Sequence, residues 1–125
     1  MKDMSVTALV VDDNVGVKDV FVELLYFSGI NVIGQGSNGK EAVELYKKLS
    51  PDIVFMDVMM PKYDGFYGLE KIREHDPDAR VVLVTASISV EIDVDGCNAT
   101  AVISKPIDMK KVMSVISKTC PLKNL

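Results

Sequence analysis

Carboxylates are spread unevenly along this chain. The stretch VVDDN at 10–14 sets Asp12 beside Asp13 directly after an apolar run. A second stretch, EIDVDG at 91–96, alternates Glu91, Asp93 and Asp95 with Ile92 and Val94. Clustered carboxylates are hard oxygen ligands, suited to Mg2+ or Ca2+. In EIDVDG the alternation and the Gly at the sixth position match the opening of a calcium loop. The match then fails, because the first ligand position is Glu91 rather than Asp and the twelfth is Val102, where a bidentate Glu is required. VVDDN is therefore the better candidate for a working site, and the acids of 91–96 read as the solvated side of a connecting segment.

The elements that must position Asp12 and Asp13 follow from the hydrophobic pattern. Residues 7–11, 53–56 and 81–84 are short continuous apolar runs, with weaker strand candidates at 31–34 and 101–104. Runs that are apolar on both faces suit central strands of a parallel sheet covered on both sides. Between them apolar residues recur at helical spacing: Val17, Val20, Phe21, Leu24 and Leu25; Ala42, Leu45, Tyr46 and Leu49; Leu69 and Ile72; Met109, Val112, Met113 and Ile116. Asn38 and Asp108 are suitable N-caps, and Pro51 and Pro77 fall where a helix should stop before a strand. The order βαβαβαβ, one ambiguous segment, then βα predicts an open, doubly wound α/β sheet in a single domain spanning 1–125. In the ambiguous segment Ile88, Val90, Ile92 and Val94 alternate at period 2, whereas a parallel crossover there calls for a helix. A short or irregular fourth helix is the expectation.

Ligands of such sheets bind beyond the carboxyl ends of the strands. The pattern puts Asp12 and Asp13 after the first strand, Asp57 at the end of the third, Thr85 at the end of the fourth, and Lys105 with Pro106 at the end of the fifth. Three carboxylates brought together repel one another and call for a compensating cation. Mg2+ is commonly held by one or two carboxylates with water and phosphate oxygens. Lys105 and Thr85 would then bind oxygens of an incoming phosphoryl group, and a central carboxylate, Asp57, would accept it. Each residue also has a plainer role: Asp12 or Asp13 could cap the first helix, Thr85 could be an N-cap, and Asp57 and Lys105 could be solvated ends. Five suitable residues at matching strand ends argue against coincidence.

Composition narrows the alternatives. With 125 residues, 48% apolar content and a net charge of −4, the chain can build one core and lacks the basic footprint of a nucleic-acid binder. No apolar run approaches a membrane span, and the first residues lack the apolar stretch of a signal peptide. Cys97 and Cys120 form no CxxC pair, as expected of a protein of the reducing cytoplasm. His75, in REHDPD, reads as a solvated helix-end residue, and Lys47 and Lys48 as a wet helix face.

Taken in order, VVDDN at 10–14, MDVMMPKYDG at 56–65, VTA at 84–86 and SKP at 104–106 resemble the receiver domain of two-component response regulators, of the single-domain chemotaxis type. The stretch GSNGKEAVELYKKLSPDIVFMD at 36–57 is similar too, so the resemblance covers nearly the whole chain. It implies a flavodoxin-like (βα)5 sandwich with sheet order 2-1-3-4-5. It implies that Asp57 takes a phosphoryl group from a sensor histidine kinase or phosphotransfer protein. Asp13, Asp57 and the Met59 backbone carbonyl would ligate Mg2+ directly, and Asp12 through a water. Thr85 would sense the phosphoryl group, Lys105 would contact it as a cation, and the bond before Pro106 would be cis. Phosphorylation would switch protein contacts on the face made by the fourth helix, the fifth strand and the fifth helix. Such a module is not a conventional enzyme, although it assists its own phosphorylation and dephosphorylation.

Some positions depart from the family pattern. Many receivers carry an aromatic residue three positions before the strand-five lysine, and Val102 occupies that position. A valine cannot swing a ring between core and surface, so switching would act through Thr85 and the backbone after it. Met59 and Ser87 are expected to affect phosphate lifetime. The segment from Thr85 to Lys105 is a little short for the family, which again marks the fourth helix. Competing functions are a small Mg2+-dependent phosphohydrolase using Asp57 as nucleophile, for which no cap segment is apparent, and a binding-only pseudo-receiver, whose usual mark is a missing acceptor or acid pair. A flavin carrier is excluded, since Asp12 and Asp13 would repel its phosphate.

Overall fold

The computed structural model describes residues 5–86 and 98–120. In chain order it contains β1 (Thr7–Val11), α1 (Val15–Phe27), β2 (Asn31–Gly36), α2 (Gly39–Leu49), β3 (Ile53–Asp57), α3 (Gly65–His75), β4 (Val81–Thr85), β5 (Ala101–Ser104) and a last helix at Met109–Thr119. The strands form one five-stranded parallel sheet in the order β2-β1-β3-β4-β5. The expected doubly wound architecture and strand order are therefore present. The expected fourth helix, the stretch EIDVDG, Ser87 and Cys97 lie outside the described residues.

Central β3 and β4 are buried at every position, and β1 at all but its first, as continuous apolar runs require. Alternate side chains serve two cores. Ala8, Val10 and Phe55 pack with Phe21 and Leu25 of α1 and with Val112 and Ile116 of the last helix. Leu9, Val11 and Met56 pack with Ala42 and Tyr46 of α2 and with Leu69 and Ile72 of α3. Phe21 and Phe55 meet edge to face, with ring centroids 5.2 Å apart. Met109 and Met113 lie against the first of these cores, and Val102 against the second.

Polar residues set the helix starts. Asn38 accepts from the Glu41 amide at 2.9 Å while Glu41 accepts from the Ser37 amide at 3.1 Å, a reciprocal cap. Asp108 caps the last helix through the Lys110 amide at 2.9 Å. The first helix is capped by Asn14, which accepts from the Val17 amide at 3.0 Å. That contact leaves Asp12 and Asp13 for other work. Asp64 caps α3 through the Tyr67 amide at 2.9 Å.

Candidate functional site

Each strand delivers its terminal residue to the same edge of the sheet. Asp57 is the last residue of β3, Thr85 the last of β4, and Lys105 follows β5. Asp57 pairs with Val84 across β3–β4, and Thr85 with Ser104 across β4–β5. The Lys105 amide donates to the Thr85 carbonyl at 2.8 Å, which fixes the start of the loop after β5. The Lys105–Pro106 bond is cis, as expected.

The carboxylates of Asp12, Asp13 and Asp57 converge, each offering an oxygen within 4.8 Å of the others. Asp12 and Asp57 are buried and Asp13 is exposed, so the cluster is open on one side. The Lys105 ammonium lies 2.9 Å from Asp12 Oδ2 and 3.6 Å from Asp57 Oδ2. Asp12 Oδ1 accepts from the Asn14 amide at 2.9 Å, and the Asp12 amide donates to the Gly36 carbonyl at 3.1 Å. The Met59 amide donates to the Asp57 carboxylate. The Met59 side chain is 67% exposed at the mouth, and Thr85 is buried beside the acids' strand ends.

Electrostatics single out Asp57. Burial pushes its carboxyl above the ordinary range; the Lys105 ammonium and the Met59 amide pull it down, while Asp12 and Asp13 push it up. One ammonium between two buried acids does not neutralise three carboxylates. The donor set is all oxygen and the charge excess is negative, which fits a small hard divalent cation such as Mg2+.

Gly65 is required by close approach. A Cβ there would strike the Asp57 carbonyl and lie 2.9 Å from Val58 Cα. The Gly65 amide instead donates to the Val58 carbonyl at 2.9 Å, folding the loop after β3 back beneath the acids.

The sequence reading overlooked Lys18. It lies on α1 with only 8% exposure, and its ammonium donates to the Gly36 carbonyl at 3.3 Å and to Ser37 Oγ at 3.2 Å. A lysine one turn into an amphipathic helix carries no signal of burial; only the packing of β2 beside α1 encloses it. His75 is exposed at the end of α3, with its ring edge-on to Tyr46, and takes no part in the acid cluster.

Comparison with known proteins agrees with this geometry. The family model described as the response regulator receiver domain matches residues 8–117. The Chemotaxis protein CheY of Bacillus subtilis (strain 168) is 36% identical over 113 residues, 89% of this chain and 94% of its own. The Chemotaxis protein CheY of Treponema pallidum (strain Nichols) is 40% identical over 113 residues, 87% of this chain and 78% of its own. Among solved structures, the CheX-CheY-BeF3-Mg+2 complex from Borrelia burgdorferi superposes with a TM-score of 0.83 at 35% identity, covering 90% of this chain and 87% of that one.

Proposed function

The chain belongs to the response regulator receiver family, and from that premise we propose that it is a Mg2+-dependent phosphoryl acceptor whose acceptor is Asp57. The observation that carries this reading is the convergence of the Asp12, Asp13 and Asp57 carboxylates within 4.8 Å, with the Lys105 ammonium 3.6 Å from Asp57. The similar CheX-CheY-BeF3-Mg+2 complex from Borrelia burgdorferi, in which BeF3 mimics a phosphoryl group, supports the same assignment.

In this reading Asp57 Oδ attacks the phosphorus of a phosphohistidine on a sensor kinase or phosphotransfer protein. The new P–O bond forms as the P–N bond breaks, and the histidine nitrogen leaves with the bonding pair and takes up a proton. Asp13, Asp57 and the Met59 carbonyl would hold Mg2+ directly, and Asp12 would hold it through water. The bound ion supplies positive charge where phosphoryl oxygens gather. The Lys105 ammonium exchanges its contact with Asp57 for a phosphoryl oxygen, and the Thr85 hydroxyl donates to another.

The mouth of the site fits a protein donor better than a small molecule. Val17, Val20 and Leu24 of α1 line an open groove of about 610 Å³ together with Lys105, Pro106 and Ile107. Val20 is 58% exposed, and this apolar wall is continuous with the acceptor through Lys105. The module acts in the cytoplasm and signals through the face made by the expected fourth helix, β5 and the last helix. Titration with Mg2+ and acetyl phosphate tests the assignment. We expect one phosphoryl group per chain on Asp57, lost in Asp57→Asn; phosphorylation that persists in that variant would overturn it.

A further inference from the structure

Lys18 is the most unusual charged residue outside the predicted site. Its ammonium is nearly enclosed and has no carboxylate within ion-pair distance among the described residues. Burying an ammonium without a paired anion is costly. Two neutral acceptors, the Gly36 carbonyl at 3.3 Å and Ser37 Oγ at 3.2 Å, account for two of its three protons. A small cavity of about 10 Å³, the size of one water, is lined by Lys18, Asp12, Asp57 and Lys105 together. Lys18 thus borders the cavity that the two acids and Lys105 also line, with its ammonium turned to Gly36 and Ser37 after β2. The Gly36 carbonyl also accepts from the Asp12 amide at 3.1 Å, so one backbone oxygen ties the lysine to the acid pair.

We propose that Lys18 is a positioning residue and the second cation of the phosphoacceptor site, biasing it toward the phosphoryl-loaded state rather than the metal-only state. This rests on the reading of Asp57 as acceptor. Three carboxylates and two ammoniums leave the site one negative charge when empty. A divalent cation makes it one positive, and a phosphoryl dianion in place of one carboxylate then brings it to neutrality. Without Lys18 the neutral state is the metal-only one, and the loaded site keeps an uncompensated negative charge in a partly dry environment. Lys18 therefore opposes Mg2+ alone and favours Mg2+ with a phosphoryl group.

The two effects have opposite signs, which a merely structural lysine would not produce. Calorimetric titration with MgCl2 should show Mg2+ binding about three- to ten-fold tighter in Lys18→Met than in the unmodified protein. Beryllofluoride affinity in saturating Mg2+, and the first-order rate of phosphorylation at saturating acetyl phosphate, should fall about ten-fold. Lys18→Gln keeps a donor for the Gly36 carbonyl and should show the same split, so one folded neutral variant suffices. Mg2+ and beryllofluoride affinities that fall together, or that both stay unchanged, overturn the proposal. Failure of both variants to fold in saturating Mg2+ also overturns it, by assigning Lys18 to the fold alone. If the unmodified protein itself binds neither Mg2+ nor beryllofluoride, it is the acceptor reading that fails.

Discussion

At the scale of single residues, Asp57 carries opposing demands. Its folded carboxyl is held above the ordinary value of 3.8, first by burial. A carboxyl raised in this way contributes stability below its unfolded value, and that contribution is lost as pH rises through the folded value. Ionising Asp57 in the metal-free protein therefore costs stability. Asp57→Asn should raise metal-free stability, because it removes a buried charge that Asp12 and Asp13 crowd. Urea unfolding at pH 7 in chelator reads this, and an unchanged or lower midpoint would show that burial and the neighbouring acids do not strain the acceptor. Lys105→Met should slow phosphorylation by acetyl phosphate about 100-fold, because it removes a cation aimed at the transferring group. A stopped-flow rate within three-fold of the unmodified protein would place Lys105 outside the transfer.

At the scale of elements, neighbouring residues in VVDDN divide the labour between helix and site. Asn14 caps α1, while Asp13 points into the acid cluster. Asn14→Ala should cost ~1 kcal/mol of metal-free stability, the usual value of a cap. Asp13→Ala should cost the fold nothing and weaken Mg2+ binding instead. Chemical denaturation in chelator, paired with Mg2+ calorimetry, separates the two, and equal effects from both variants would contradict the division. The loop after β3 depends on Gly65, whose missing side chain lets the chain pass the Asp57 carbonyl. Gly65→Ala should cost roughly 1–3 kcal/mol by overpacking and slow phosphorylation by displacing the acceptor's own backbone, both read in the same denaturation and rate assays.

At the scale of the whole molecule, site and fold are thermodynamically linked. Ligands that bind only the folded chain stabilise it by mass action, by about 2.7 kcal/mol at a hundred times the dissociation constant. Mg2+ with beryllofluoride should therefore raise the melting temperature further than Mg2+ alone, and Asp57→Asn should lose that second increment. Equal melting temperatures with and without beryllofluoride would show that the phosphoryl-like group does not bind the folded chain. No helix among the described residues is long and apolar enough to cross a membrane.

Local chemistry determined much of this protein. Continuous apolar runs located β1, β3 and β4 to within a residue, because strands buried on both faces must be apolar throughout, and the weaker pattern at 101–104 located β5. The acids, hydroxyl and ammonium at their ends could be named for the same reason, since a parallel sheet presents all its carboxyl ends on one edge. β2, at the sheet edge, runs two residues past its expected end to Gly36, because its pairing is set by β1 and not by its own pattern. Only the tertiary structure decided which polar group does what. Asn14 rather than Asp12 or Asp13 caps α1, a matter of backbone direction that composition does not encode. Val20 and Leu24 share a helical periodicity with Phe21 and Leu25, yet the sheet covers one pair and leaves the other at the surface. Lys18 became part of the site's surroundings in the same way: burial belongs to the packing of one element against another, and a single residue's type and spacing do not contain it.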